Sequence, residues 1–100
     1  MMGERKIDPA DAVRLLDAGT AVAVDVREPD EFASGHIPGA VLLPLGSVRQ
    51  RAAALLPDRH AALLVYCRTG RRASTACAQL SEMGYTDVQN LGGVLSWPYE

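Results

Sequence analysis

Hydrophobic positions in this chain fall into short, almost unbroken runs that are separated by longer segments of mixed polarity. Three of these runs, at 21–26, 40–43 and 61–66, contain very few polar residues. Such runs are typical of strands that are buried on both faces of a parallel sheet. A more polar segment at 87–91 is interpreted as the final strand.

Helices are predicted between these strands from start and stop signals. The first spans residues 8–18, with Asp8 at the N-cap position and Gly19 as the stop. Further helices are predicted at 29–33 and 72–83, and another extends to Leu56 with Ser47 as its cap. This alternation predicts an α/β fold with a mostly parallel central sheet of about five short strands flanked by helices. Ligands of such sheets bind beyond the carboxyl ends of the strands.

Length and charge narrow the possible functions. The chain has 100 residues, which predicts a single domain over 1–100. Its formal net charge of −2 gives no indication of a nucleic-acid or membrane-surface partner. No apolar run reaches transmembrane length, and the polar start at 1–6 does not resemble a signal peptide. A cytoplasmic location is therefore predicted.

The two cysteines do not suggest a disulfide framework or a metal site. Cys67 and Cys77 lie ten positions apart, and neither His36 nor His60 completes a recognisable ligand pattern. No metal and no other cofactor is predicted. Cys77 is interpreted as a small core residue of the helix at 72–83. The alternative is a resolving thiol that forms a disulfide with Cys67, which would require the two Cα atoms to lie within about 7 Å.

The stretch that follows the strand at 61–66 is the most informative part of the sequence. It reads, in order, Cys67, Arg68, Thr69, Gly70, Arg71 and Arg72. A thiol between a strand and a helix N-terminus lies where arginine charge and the helix dipole both favour the thiolate, the nucleophilic form. Successive backbone N–H groups of such a loop form a nest for anions, and arginines bind oxyanions through paired hydrogen bonds. We therefore predict Cys67 as the nucleophile and residues 68–72 as the substrate-binding loop.

Four motifs in the same order resemble the rhodanese family of sulfurtransferases. These are the Asp-Val-Arg segment at 25–32, the Gly-His-Ile-Pro-Gly-Ala turn at 35–40, the loop at 67–72, and Leu91-Gly92-Gly93 with Trp97. Together they extend over nearly the whole chain. The resemblance implies a rhodanese-like fold.

The resemblance also implies a reaction. The Cys67 thiolate attacks the outer sulfur of thiosulfate or of a persulfide donor, sulfite leaves from thiosulfate, and a thiol or cyanide takes the sulfur from the resulting persulfide. The implied partners are a small anionic sulfur donor such as thiosulfate and a thiol or a persulfide-carrying protein as acceptor. Arg68, Arg71 and Arg72 are candidates for binding the donor, and the sequence does not tell which of them points inward.

Two other functions remain open at this stage. A rhodanese module also serves as a non-catalytic sulfur carrier or interaction domain. Cysteine-dependent phosphatases of similar fold, and arsenate reductases, are a weaker alternative. The phosphatases place an arginine six positions after the cysteine, where this chain has Ala73, while Arg72 comes one position earlier. The shorter loop favours a sulfane sulfur over a phosphoryl group.

Asp25 and Arg27 are supporting candidates because they follow a predicted strand and therefore approach the mouth of the site. We interpret them as structural ion-pairing groups: Arg27 pairs with Glu31, or Asp25 holds the loop at 67–72. His36 invites an interpretation as a general base, but a thiolate already favoured by its loop needs none. It is therefore interpreted as a residue that stabilises the turn.

Overall fold

The computed structural model describes residues 5–94, over which helices and parallel strands alternate. The elements are α1 (Pro9–Asp17), β1 (Ala21–Asp25), α2 (Pro29–Ala33), β2 (Val41–Leu42), α3 (Val48–Leu55), β3 (Ala62–Cys67), α4 (Arg71–Glu82) and β4 (Asp87–Gly93). A short 3-10 turn at Leu45–Ser47 precedes α3, and Ser47 occupies the N-cap position of this helix, as the sequence predicted.

The four strands form one parallel sheet in the order β2-β1-β3-β4. The predicted α/β class and parallel sheet are confirmed, but the expected number of about five strands is one too high for the described residues. At the outer edge of β4, residues 5–94 add only a single bridge, between Lys6 and Asn90, which is too short to count as a strand. All four strands run the same way, so their carboxyl ends meet at one edge of the sheet.

Helices cover both faces of the sheet, and β3 supplies the core on each side. Leu63, Val65 and Cys67 belong to the cluster packed against α3 and α4. Leu64 and Tyr66 belong to the cluster on the opposite face, packed against α1. Because side chains alternate along a strand, a run without polar residues still sends Cys67 and Tyr66 to opposite sides. Cys67 thereby lies on the side of α4.

Three expectations from the sequence concern membrane spans, Trp97 and the number of domains. Within residues 5–94, no helix combines the length and hydrophobicity needed to cross a membrane. Trp97, which was singled out in the sequence as part of the last motif, lies outside the described residues. A single domain over 1–100 stays a prediction.

Candidate active site

Cys67 occupies the end of β3, at the edge where the carboxyl ends of the strands meet. Its side chain is almost completely buried, with 1% exposure. The chain then turns through Gly70, whose φ of +104° lies in the left-handed region that favours glycine, and enters α4 at Arg71. This tight turn brings the first amides of α4 back over the end of the strand.

Two backbone N–H groups point at the sulfur of Cys67. Gly70 donates to Sγ at 3.0 Å, and Ala73 donates to it at 3.4 Å. Both donors belong to the loop or to the first turn of α4, where helix N–H groups have no intrahelical partner and the helix dipole favours negative charge. Two backbone donors from the loop and from the start of α4 thus converge on the Cys67 sulfur.

Gly93, at the end of β4, packs against the backbone of this loop. A β-carbon at this position would lie 2.3 Å from the carbonyl oxygen of Arg68 and 2.7 Å from Cα of Thr69. No side chain fits in that space. The sequence singled out the glycine pair at 92–93 only as part of the last motif, whereas the structure shows a close backbone approach between β4 and the loop.

A bulge in the β3–β4 ladder sets the position of Gly93. Val65 pairs with Asn90, but the next residue, Tyr66, pairs with Gly92. The Asn90 side chain, buried at 6% exposure, accepts a hydrogen bond from the Gly92 N–H at 2.7 Å. Asn90 was not identified from the sequence, since a lone asparagine near the end of a strand gives no signal of its partner.

The three arginines of the loop differ in whether their side chains are ion-paired. Arg72 donates from Nη1 and Nη2 to the two carboxylate oxygens of Glu31, at 2.7 Å and 3.0 Å. These hydrogen bonds, more than any other cause, lower the pKa of Glu31 to about 2. Arg68 and Arg71 are exposed, and their side chains make no hydrogen bond or ion pair with any of residues 5–94. Thr69 between them is also exposed.

Asp25 and Arg27 form a buried ion pair beside the site. Arg27 donates from Nε and Nη2 to the Asp25 carboxylate, with its shortest contact at 2.7 Å, and its backbone N–H donates to Asp25 Oδ1 at 2.9 Å. Nη2 also donates to the Gly35 carbonyl oxygen at 2.7 Å. The pair thus joins β1 to the turn at 35–40. Arg27 pairs with Asp25 and not with Glu31, because Glu31 is turned towards Arg72.

Tyr66 completes this group on the α1 side of the sheet. Its ring lies under Arg27, with the guanidinium carbon 5.7 Å from the ring centre, and its hydroxyl accepts a hydrogen bond from the Ile37 N–H at 3.1 Å. Burial raises the pKa of Tyr66 well above its ordinary value, so this hydroxyl stays protonated. Tyr66 and Arg27 therefore have structural contacts that place the 35–40 turn.

His36 and Cys77 have positions that agree with their structural interpretations. Nδ1 of His36 lies 2.9 Å from the Phe32 carbonyl oxygen, and its ring stacks on Phe32 with centroids 3.6 Å apart. Cys77 is buried in the core cluster that contains Cys67, and no disulfide joins the two. Within residues 5–94, no group of three or more metal-ligating side chains has the geometry to hold an ion.

The family profile of the Rhodanese-like domain matches residues 8–99. The chain belongs to the rhodanese family. Thiosulfate sulfurtransferase PspE of Escherichia coli strain K12 is 44% identical over 71 residues, which cover 71% of this chain and 68% of the relative. A sulfurtransferase of Allochromatium vinosum is 41% identical over 85 residues, covering 84% of this chain and 78% of the relative.

Solved rhodanese structures agree with this membership. A rhodanese from E. coli, solved with anions, superimposes with a TM-score of 0.74 at 40% identity and covers 80% of this chain and 95% of its own. The human single-domain sulfurtransferase TSTD1 superimposes with a TM-score of 0.82 at 27% identity, covering 91% of each chain. These relatives support sulfur transfer, in general terms, as the activity of this rhodanese, with sulfur donors and acceptors as its partners.

Proposed function

We propose that this rhodanese is an enzyme that takes a sulfane sulfur from thiosulfate, or from another small anionic donor, and holds it as a persulfide on Cys67. The observation that carries the proposal is the pair of backbone N–H groups, from Gly70 and Ala73, that point at Sγ. A thiolate at this position is stabilised without any side-chain base. The name of the PspE relative supports thiosulfate as the donor.

The reaction has two balanced steps. In the first, the Cys67 thiolate forms a bond to the outer sulfur of thiosulfate, the S–S bond of thiosulfate breaks, and sulfite leaves with the bonding electron pair. In the second, an acceptor thiolate or cyanide attacks the outer sulfur of the persulfide, and the Cys67 thiolate is released. Two-step covalent transfer of this kind gives ping-pong kinetics.

Arg68 and Arg71 are the charges proposed to meet the donor. Both are exposed beside Cys67, and neither is neutralised by another of the described residues. The E. coli rhodanese was solved with anions, which supports an anionic donor for this chain. Thr69 and Gly70 contribute the loop backbone, and Asp25 with Arg27 supports the neighbouring turn. The acceptor is proposed to be a thiol or a persulfide-carrying protein in the cytoplasm.

The burial of Cys67 bears on the size of the donor. With 1% exposure at the floor of the loop, the thiol is reached by a small ion more readily than by a bulky substrate. Once sulfur is added, the side chain is longer by one atom, which brings the transferable sulfur nearer to solvent. This geometry suits a small donor in the first step and a larger acceptor in the second.

The test is the intact mass of the reduced protein before and after incubation with thiosulfate, followed by peptide mapping. We expect a gain of one sulfur atom on the Cys67 peptide, reversed by cyanide with formation of thiocyanate. The matched control is Cys67→Ser, which should gain nothing. A persulfide that forms but is passed on only to another protein would identify the carrier alternative. Hydrolysis of p-nitrophenyl phosphate without any persulfide would overturn the proposal in favour of phosphatase chemistry.

A further inference from the structure

The carboxylate of Glu31 is fully used by contacts that join α2 to α4. Oε1 accepts hydrogen bonds from Nη1 of Arg72 at 2.7 Å and from the Glu28 N–H at 2.9 Å, and Oε2 accepts from Nη2 of Arg72 at 3.0 Å. The Arg72 and Glu31 side chains are 33% and 26% exposed, so the pair is partly shielded from water. A bidentate pair of this kind is geometrically well defined.

The charge of Arg72 acts on the sulfur site as well as on Glu31. The pKa of Arg72 is raised first by its hydrogen bonds to Glu31 and, among smaller causes, by the charge of Cys67. Arg72 also precedes Ala73 directly, and the backbone N–H of Ala73 donates to Cys67 Sγ at 3.4 Å, so Arg72 belongs to the turn of chain that surrounds the sulfur. Glu31 offsets this third positive charge, while the charges of Arg68 and Arg71 remain available.

We propose that Glu31 is a positioning residue that weakens anion binding at the Cys67 loop by holding and neutralising Arg72. This inference rests on the proposed function, because it describes how the same loop meets its donor and releases its product. Both thiosulfate and sulfite carry negative charge. An anion attracted by two uncompensated guanidinium groups leaves faster than one attracted by three, so Glu31 favours release of sulfite after the first step.

Glu31→Gln is the variant that isolates this effect. Glutamine keeps a carbonyl oxygen for Arg72 and for the Glu28 N–H, since the capping box at a helix start accepts either residue. It keeps the size of the side chain but removes the negative charge and one of the two oxygens that accept hydrogen bonds from Arg72. The matched control is Glu82→Gln, which removes a carboxylate from an exposed pair with Arg49 at the other end of α4. That end lies about 16 Å along the helix from its first residue.

The first readout is the protection of Cys67 against iodoacetamide by sulfate, an unreactive dianion, followed on the Cys67 peptide at low ionic strength. We expect sulfate to bind Glu31→Gln about three- to tenfold more tightly than the wild type, because one charge near a dianion is no longer offset. The difference should shrink at high sodium chloride, where charge interactions are screened. Glu82→Gln should match the wild type in both conditions.

The second readout is turnover of thiosulfate, where Glu31→Gln should lower KM. A loss of structure would raise KM instead, so the direction of the change separates the two explanations. Unchanged or weaker sulfate binding in Glu31→Gln, an equal change in Glu82→Gln, or no protection by sulfate in any of the proteins would overturn the inference. If the wild type forms no persulfide, the proposed function fails, whereas the sulfate comparison still tests Glu31.

Discussion

Gly93 lies directly against the backbone of Arg68, so closely that a β-carbon on Gly93 would be 2.3 Å from the Arg68 carbonyl oxygen. This contact joins the end of β4 to the loop whose amides point at Cys67. The position of the loop is thus fixed by two elements: the loop continues directly into α4, and its backbone packs against the end of β4. Any movement at Gly93 is passed to the peptide groups next to the sulfur.

Gly93→Ala should reduce sulfur transfer strongly. The loop backbone has to move by a sizeable fraction of an ångström to admit a methyl group, which displaces the amides that hold Sγ. Displacements of about 1 Å in an active site lower rates by up to about a hundredfold. We expect a loss of this order in kcat/KM with thiosulfate and cyanide. Gly46→Ala is the control, since a β-carbon there has no neighbour within 4 Å; activity near that of the wild type in both variants would contradict this role.

Cys67→Ser should abolish persulfide formation, and Cys77→Ser should keep most of the activity. The first substitution removes the atom that receives the loop N–H groups, while the second changes a buried residue of α4 without removing the nucleophile. Thiocyanate production and the mass of the Cys67 peptide measure both. A similar loss in the two variants would point to a mechanism that needs both thiols.

Asp25→Ala should destabilise the fold far more than the loss of an exposed carboxylate. Removing Asp25, which is 0% exposed, leaves Arg27 buried without its partner, a change that costs about 3–5 kcal/mol. Glu82→Ala breaks the exposed pair with Arg49 and should cost at most about 1 kcal/mol. Urea unfolding of both variants measures the difference. An equal loss in free energy of unfolding in the two variants would show that the buried Asp25–Arg27 pair stabilises the fold no more than an exposed pair does.

The pair between Glu31 and Arg72 should make a pH-dependent contribution to stability. The pKa of Glu31 in the folded protein, about 2, lies below its ordinary value of 4.5. The contribution is therefore complete above about pH 4.5 and is lost as the pH falls towards 2. The difference in free energy of unfolding between the wild type and Glu31→Gln should be constant near neutrality and shrink over this acidic range. A difference that is independent of pH down to 2.5 would contradict the assignment.

Much of this site was visible in the sequence because its central signals are local. The apolar run before Cys67 predicted the strand, and the glycine and arginines after it predicted the anion-binding turn into a helix. Only three residues, 68–70, lie between β3 and α4. A connection this short has few possible conformations, so neighbours in sequence remain neighbours in space. Asp25 and Arg27 were interpreted as ion-pairing groups, but the predicted partners were Glu31 and the loop, whereas the structure pairs the two residues with each other.

The tertiary structure alone decided which charges meet and what supports the loop. Arg72 and Glu31 are 41 positions apart, and their pairing depends on where α2 lies relative to α4. The contact of Gly93 with Arg68 depends on the register of β4 and on the bulge held by Asn90. The sequence does not specify the register of β4 against β3. A shift of β4 by one residue would leave the sequence unchanged but would change every residue of β4 that faces a given residue of β3. The sequence by itself therefore predicted Cys67 as the nucleophile and determined the turn that follows it. The packing of distant elements determined that Arg72 is ion-paired, while the side chains of Arg68 and Arg71 have no such partner among residues 5–94.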